Sequence, residues 1–288
     1  MRSKREMMAL GMNFARSCEQ IRIFTLEGSL TNVNIPNDEF QDYDFSYFVT
    51  DMEHFKQNDE WLDYFGKRIM MQKPEAMELF PPELGNWFSY LMIFEDGTKI
   101  DLTLIPLHEY EDYFANSDGL VEVLLDKDNL IHEPVIATDK MYHIAKPSQQ
   151  SFDDCCNEFW MSSTYVAKGL ARNEFLFAAD MMNQVFRPNL LTMLRWRVGI
   201  ETEFSLSIGK SDKFLEKYVS SETWTTLLAT YDMGSKQNMW EALYTSYSLF
   251  RTTAQFVAEQ LGYTYPNYDE NVSPYIGSIR QRYAPCNI

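Results

Sequence analysis

The hydrophobic pattern of this 288-residue chain changes period partway along, and that change limits the folds open to it. Up to about residue 130, apolar residues alternate in short runs bounded by turn residues, the pattern of strands half-buried in a sheet. Beyond residue 150 they recur at three- and four-residue spacing through long stretches, the pattern of amphipathic helices. The expected fold class is therefore α+β: a mixed β-sheet flanked by helices, followed by a helical bundle.

Residues 21–26 read as a strand that stops at Glu27-Gly28-Ser29, residues 43–50 as a second and residues 69–71 as a third. The clearest local signal is Asp96-Gly97 between alternating runs at 87–94 and 99–105, a hairpin whose turn needs the positive φ that glycine accepts. Helices are expected at 4–18, 56–66, 153–186 (bent), 189–198, 211–219, 222–231 and 237–261, the last stopped by Gly262. In the long pattern Phe159, Val166, Leu170, Phe177 and Met181 share one stripe. The stretch 130–152, with Pro134 and Pro147, reads as a linker. The expected domains are 1–135 and 136–288.

The net charge of −17 repels a polyanion at long range, which disfavours general nucleic-acid or anionic-membrane binding. It attracts metal ions or a polycationic small molecule, or it serves solubility alone. No run reaches the roughly 18 apolar residues of a membrane span, and the charged start MRSKREMMALGMNFARS lacks the apolar core of a signal peptide. Cys18, Cys155, Cys156 and Cys286 show no CxxC spacing. A cytoplasmic protein, monomeric or weakly dimeric, is the expectation.

Asp42 and Asp44 stand two apart at the start of a strand, so period two puts both on one face. Crowded carboxylates repel unless a cation sits between them, and a hard divalent ion such as Mg²⁺ suits oxygen ligands. Asp101 interrupts an apolar alternating strand; if that strand lies beside the first, three carboxylates converge. Solvated strand-end charges are the ordinary alternative, because Asp-x-Asp recurs by chance. Gly28-Ser29 would let a backbone N–H and a hydroxyl approach a phosphate, although Gly-Ser is also common turn chemistry.

Gly209-Lys210-Ser211 is not a P-loop, since Phe204 stands where its first glycine belongs. Lys210, Lys213 and Lys217 would share one face of a helix from about Ser211, a triphosphate contact or a solvated face. Lys168 and Arg172 form a second basic pair at i, i+4. Glu174 and Asp180 flank the apolar stripe, either as a helix edge or as acids that hold an amine-bearing substrate. The four histidines are scattered, with no zinc spacing.

Gly28-Ser29, Asp42-x-Asp44 and a later Asp101 together resemble the nucleotidyltransferase core of the DNA polymerase beta superfamily. The blocks FQDYDFSYFVTD (40–51), GKRIMMQKPE (66–75), FPPELGNWFSY (80–90), DLTLIP (101–106), DDCCNEFW (153–160), YVAKGLARNE (165–174) and GKSDKFLEKY (209–218) are similar to the aminoglycoside 6-adenylyltransferases. The likeness spans nearly the whole chain and is closest to the chromosomal enzymes of bacilli. It implies an N-terminal catalytic domain and a helical domain closing over nucleotide and aminoglycoside. The implied reaction is transfer of AMP from ATP to a streptomycin hydroxyl, with release of pyrophosphate. Asp42, Asp44 and Asp101 would hold Mg²⁺, with Asp101 or Glu174 as general base. Gly28, Ser29, Lys210, Lys213, Lys168 and Arg172 would contact the nucleotide, and Glu174 and Asp180 the guanidinium groups of streptomycin. Leu30 stands where the family commonly carries arginine, which removes one cation from the nucleotide site. The alternatives are another polyhydroxylated amine or a protein as acceptor, or a catalytically decayed nucleotide-binding homologue.

Overall fold

The computed structural model describes residues 1–283. Two compact units divide the chain, Met1–Met141 and a second that begins at Tyr142, a few residues past the 135/136 boundary drawn from sequence.

In the first unit six strands form one sheet among the described residues: β1 (Ile21–Glu27), β2 (Tyr43–Val49), β3 (Arg68–Gln72), β4 (Phe88–Phe94), β5 (Lys99–Pro106) and β6 (Val121–Asp126). Their order is β3-β4-β5-β2-β1-β6. Neighbours run antiparallel except β2 and β5, which run parallel, so the sheet is mixed as expected. Gly97 turns the β4–β5 hairpin at φ +81. Arg2 binds that turn, its Nε 2.8 Å from Asp96 Oδ2 and its Nη2 2.7 Å from Thr98 Oγ1.

Period two gives the sheet two chemically different faces. One carries Phe24, Phe45, Tyr47, Tyr90 and Leu102 against helix α1 (Lys4–Ser17) and a cluster of Phe55, Leu62 and Phe65. α1 lies close on the sheet because a β-carbon at Gly11 would come within 2.9 Å of the Phe24 and Phe45 rings. The other face is apolar only at one end, where Ile23, Phe48 and Ile105 pack with Tyr113. In place of the single helix expected at 56–66, α2 (Met52–Lys56) is followed by 3-10 turns at Glu60–Phe65. The Asn58 side chain accepts from the Glu60 amide and starts the turn anew. Helix α3 (Tyr110–Ala115) covers the apolar end of the second face.

The second unit is helical: α4 (Gln149–Ala171), α5 (Phe175–Met181), α6 (Arg187–Glu201), α7 (Ser221–Ala229), α8 (Lys236–Leu261) and α9 (Tyr268–Tyr283). The Phe159 ring stacks on Phe250 at 3.7 Å and on Phe186 at 4.4 Å, and fully buried Trp160 and Trp240 belong to the same core. Gly262, at φ +71, ends α8 as its position suggests. The bend expected in 153–186 is a full break. Asn173 adopts φ +62, its amide donates to Leu170 O, and the Glu174 amide donates to Gly169 O, a Schellman arrangement. The helical phase restarts there, so Phe177 is 45% exposed instead of continuing the Phe159–Leu170 stripe. No helix is long and apolar enough to cross a membrane among the described residues. Cys286 lies outside them; Cys18, Cys155 and Cys156 are free thiols.

Candidate active site

Three rows of register-paired residues build this face of the sheet. Glu27 on β1 faces Asp44 on β2, and Asp44 faces Asp101 on β5. Two residues down the strands, Thr25, Ser46 and Thr103 form a row of hydroxyls. Two further, Ile23, Phe48 and Ile105 form the apolar row under α3. The sheet face thus grades from carboxylate to hydroxyl to hydrocarbon, one row every second residue. The strand carrying Asp101 does lie beside the one carrying Asp44, which was the condition for convergence.

Gly28 follows directly and opens a 3-10 turn, Gly28–Thr31, at φ +66. A β-carbon there would fall 2.4 Å from Asp44 Oδ2, so only glycine leaves room for that carboxylate. The Gly28 amide donates to Leu120 O at 2.9 Å, and Ser29 O accepts from Gln41 Nε2 at 3.2 Å. Leu30 is partly buried against the aromatic core, and its carbonyl lies 3.4 Å from Lys4 Nζ.

Asp42 precedes β2 and joins the row through Lys99, whose Nζ lies 2.5 Å from Asp42 Oδ2 and 2.8 Å from Asp101 Oδ2. Asp101 Oδ1 is buried with no hydrogen-bond partner among the described residues. Burial, joined by the charges of Asp101, Glu27 and Asp42, pushes the Asp44 carboxyl up to about 7. Burial also raises Asp101 against the pull of Lys99, and raises Glu27 although Tyr113 and Thr25 donate to it at 2.5 and 2.9 Å. Among the described residues no three acidic, histidine or cysteine side chains close into a metal cage. The donor chemistry nonetheless fits a hard divalent cation: oxygen-only ligands, one of them an orphaned buried oxygen, in a row whose charges one lysine does not balance.

The other residues singled out by sequence lie in the second unit. Lys168 sits on α4, and Arg172 caps it with Nη1 4.0 Å from Glu174 Oε2. Glu174 is the exposed N-cap of α5 and Asp180 is exposed in that helix's last turn, both on an element separate from α4. The helix expected at 211–219 is replaced by two 3-10 turns, Lys210–Asp212 and Leu215–Lys217. Arg195 clamps Asp212 through two bonds of 2.5 and 2.7 Å, while Ser211 and Asp212 take positive φ, which a helix does not allow. Lys210, Lys213 and Lys217 are all exposed there, the last two with ammoniums 5.1 and 4.5 Å from the Phe214 ring centre. The one-face spacing argument for these lysines therefore fails, since it assumed a helix.

Sequence reasoning missed Glu27, Lys99 and Tyr113. Two of them carried a signal: Lys99 stands two before Asp101, and Glu27 two after Thr25, so each shares its strand's polar face.

A mixed sheet bearing a Gly-Ser turn over facing carboxylates agrees with the nucleotidyltransferase class that the resemblance implies, and the comparisons with known proteins establish that class. The streptomycin adenylyltransferase family model matches residues 1–279. The aminoglycoside 6-adenylyltransferase of Bacillus subtilis (strain 168) is 59% identical over 279 residues, which is 97% of this chain and 98% of that protein. Its namesake from Campylobacter jejuni is 52% identical over 282 residues, 98% of this chain and 96% of that protein. The crystal structure of an aminoglycoside 6-adenyltransferase from Bacillus subtilis is 53% identical and covers 97% of this chain and 99% of its own, with a TM-score of 0.48. The chain belongs to the streptomycin adenylyltransferase family.

Proposed function

We propose that this protein transfers AMP from ATP to the 6-hydroxyl of streptomycin, releases pyrophosphate, and works in the cytoplasm. Family membership supports adenylyl transfer to an aminoglycoside. The observation that carries the reading is the Asp44–Asp101 pair, held face to face beneath Gly28 with one buried oxygen left unpaired. Such a pair is electrostatically incomplete without a cation and a phosphorylated ligand to bring it.

Magnesium held by Asp42, Asp44 and Asp101 would neutralise the triphosphate and acidify the acceptor hydroxyl. The chain's own residues do the rest. The Gly28–Ser29 turn would meet the phosphates through Ser29, since the Gly28 amide is bound to Leu120 O, with Lys210, Lys213, Lys168 and Arg172 assigned as further cationic contacts. The hydroxyl oxygen bonds to the α-phosphorus as the bond to the bridging α–β oxygen breaks. Asp101 takes the hydroxyl proton, with Glu174 the second candidate for that role. Glu174 and Asp180 are assigned to the guanidinium groups of the acceptor, which pair bidentately with carboxylates. Catalysis on this scheme is positioning plus charge stabilisation.

The test is pyrophosphate release from ATP and Mg²⁺ with streptomycin, run beside kanamycin, spectinomycin and no acceptor. Release with streptomycin alone is expected. Release with kanamycin or spectinomycin in its place would move the acceptor assignment, and silence with all would overturn the activity.

A further inference from the structure

We propose that Lys99 is the resident counter-cation of the metal-free site, a positioning residue that keeps Asp42 and Asp101 together and yields them when nucleotide and metal arrive. The inference rests on the metal-dependent reading above and adds a role for a residue that reading does not use.

Lys99 and Asp101 are two apart on β5 and so lie on the same face. The ammonium reaches Asp101 Oδ2 at 2.8 Å and crosses to Asp42 Oδ2 at 2.5 Å, tying a residue outside the sheet to one inside it. Its hold is partial. Asp101 Oδ1 stays unpaired, and no hydrogen bond or ion pair joins Lys99 to Asp44 among the described residues. One positive charge therefore stands against three carboxylates, enough to hold Asp42 and Asp101 together but too little to balance all three.

Lys99 also has somewhere to go. Its side chain is 31% exposed and lines a cavity of about 520 Å³, which Asp42 and Lys4 also line. Lys4 Nζ lies 3.4 Å from the carbonyl of Leu30, one residue past the Gly28-Ser29 pair. A released Lys99 ammonium thus turns into a volume that already holds a second ammonium, and two ammoniums beside a Gly-Ser turn are chemistry for the oxygens of a triphosphate. Lysine suits this exchange: it is a compact charge on a flexible stem, whereas arginine would grip both carboxylates with a rigid fork.

Two consequences follow. Without nucleotide, Lys99 competes with a divalent ion for the same oxygens, so metal binding is weak. With nucleotide, Lys99 moves to the phosphates and favours binding. Lys99→Met should therefore change the two affinities in opposite directions.

The experiment is an electron paramagnetic resonance titration of Mn²⁺ into the full chain, with and without a non-hydrolysable ATP analogue. Without nucleotide, Lys99→Met is expected to bind Mn²⁺ about tenfold more tightly than wild type; with the analogue, it should bind Mn²⁺–nucleotide about tenfold more weakly. An unchanged or weakened nucleotide-free affinity would overturn the proposal and leave Lys99 a structural ion pair. If Lys99→Met does not fold, Lys99→Arg decides: nucleotide-free Mn²⁺ should bind several-fold more weakly than to wild type, and equal binding would overturn the proposal. Wild type that takes up no Mn²⁺ even with the analogue would remove the metal-dependent reading itself, and the inference with it.

Discussion

Gly28 and Asp44 compete for the same space: a β-carbon on the glycine would fall 2.4 Å from the aspartate's Oδ2. The turn at φ +66 and the carboxylate row are therefore one device, in which a missing side chain admits a functional one. Gly28→Ala should displace Asp44, lower AMP transfer by more than about a hundredfold and cost about 1–2 kcal/mol of stability. Gly97→Ala is the control, since Gly97 also has positive φ (+81) but its nearest neighbour is the Met1 side chain. It should cost similar stability and leave turnover within about twofold of wild type.

Asp44 should make the metal-free protein pH-sensitive. Burial and the neighbouring carboxylates lift it to about 7, above its unfolded value of 3.8. A raised acid favours folding while protonated, and that contribution fades as pH rises through 7. In thermal melts without metal, Asp44→Asn should match wild type below about pH 4, where the unfolded carboxyl is also protonated, and exceed it at pH 8 by about 3–6 °C. The same variant should be inactive at both. A variant less stable than wild type at pH 8 would contradict the burial argument.

Asp96 behaves in the opposite sense. Burial alone would raise it, but hydrogen bonds from Arg2 and Thr98 outweigh that and hold its carboxyl well below the usual range. Its contribution is present above the unfolded value and is lost as pH falls through the folded one. Asp96→Asn should lower the melting temperature at pH 7 by about 2–4 °C. The gap should close in strongly acid solution.

Asn173 holds the break between α4 and α5 in a left-handed conformation. Asn173→Gly should keep the melting temperature within about 2 °C, because glycine takes that conformation freely and offsets the lost bond to Lys236. Asn173→Ala should cost about 1 kcal/mol of stability and lower the melting temperature by about 2–4 °C. Equal melting temperatures for the two variants would show that the left-handed turn does not limit stability.

The strands were legible because each obeys period two between clear turn residues, and the Asp96-Gly97 hairpin because its chemistry is local. The convergence of Asp44 and Asp101 was legible only as a condition. It depends on parallel pairing of strands far apart in sequence, which no local pattern encodes. Edge strand β6 escaped notice because Val-Glu-Val-Leu-Leu-Asp is largely half-exposed and alternates poorly. The break at Asn173 escaped because neither glycine nor proline marks it. Around Lys210 the missing information was tertiary: Asp212 is held by Arg195, seventeen residues earlier, and that clamp overrides helical spacing.

The most direct measurement is the mass of streptomycin after incubation with this protein, ATP and Mg²⁺, with Asp44→Asn alongside. Wild type should add one AMP to the antibiotic while the variant leaves it unmodified and still folds. Equal modification by both would contradict the role given to the carboxylate row, and an unmodified antibiotic with folded wild type would contradict the proposed reaction.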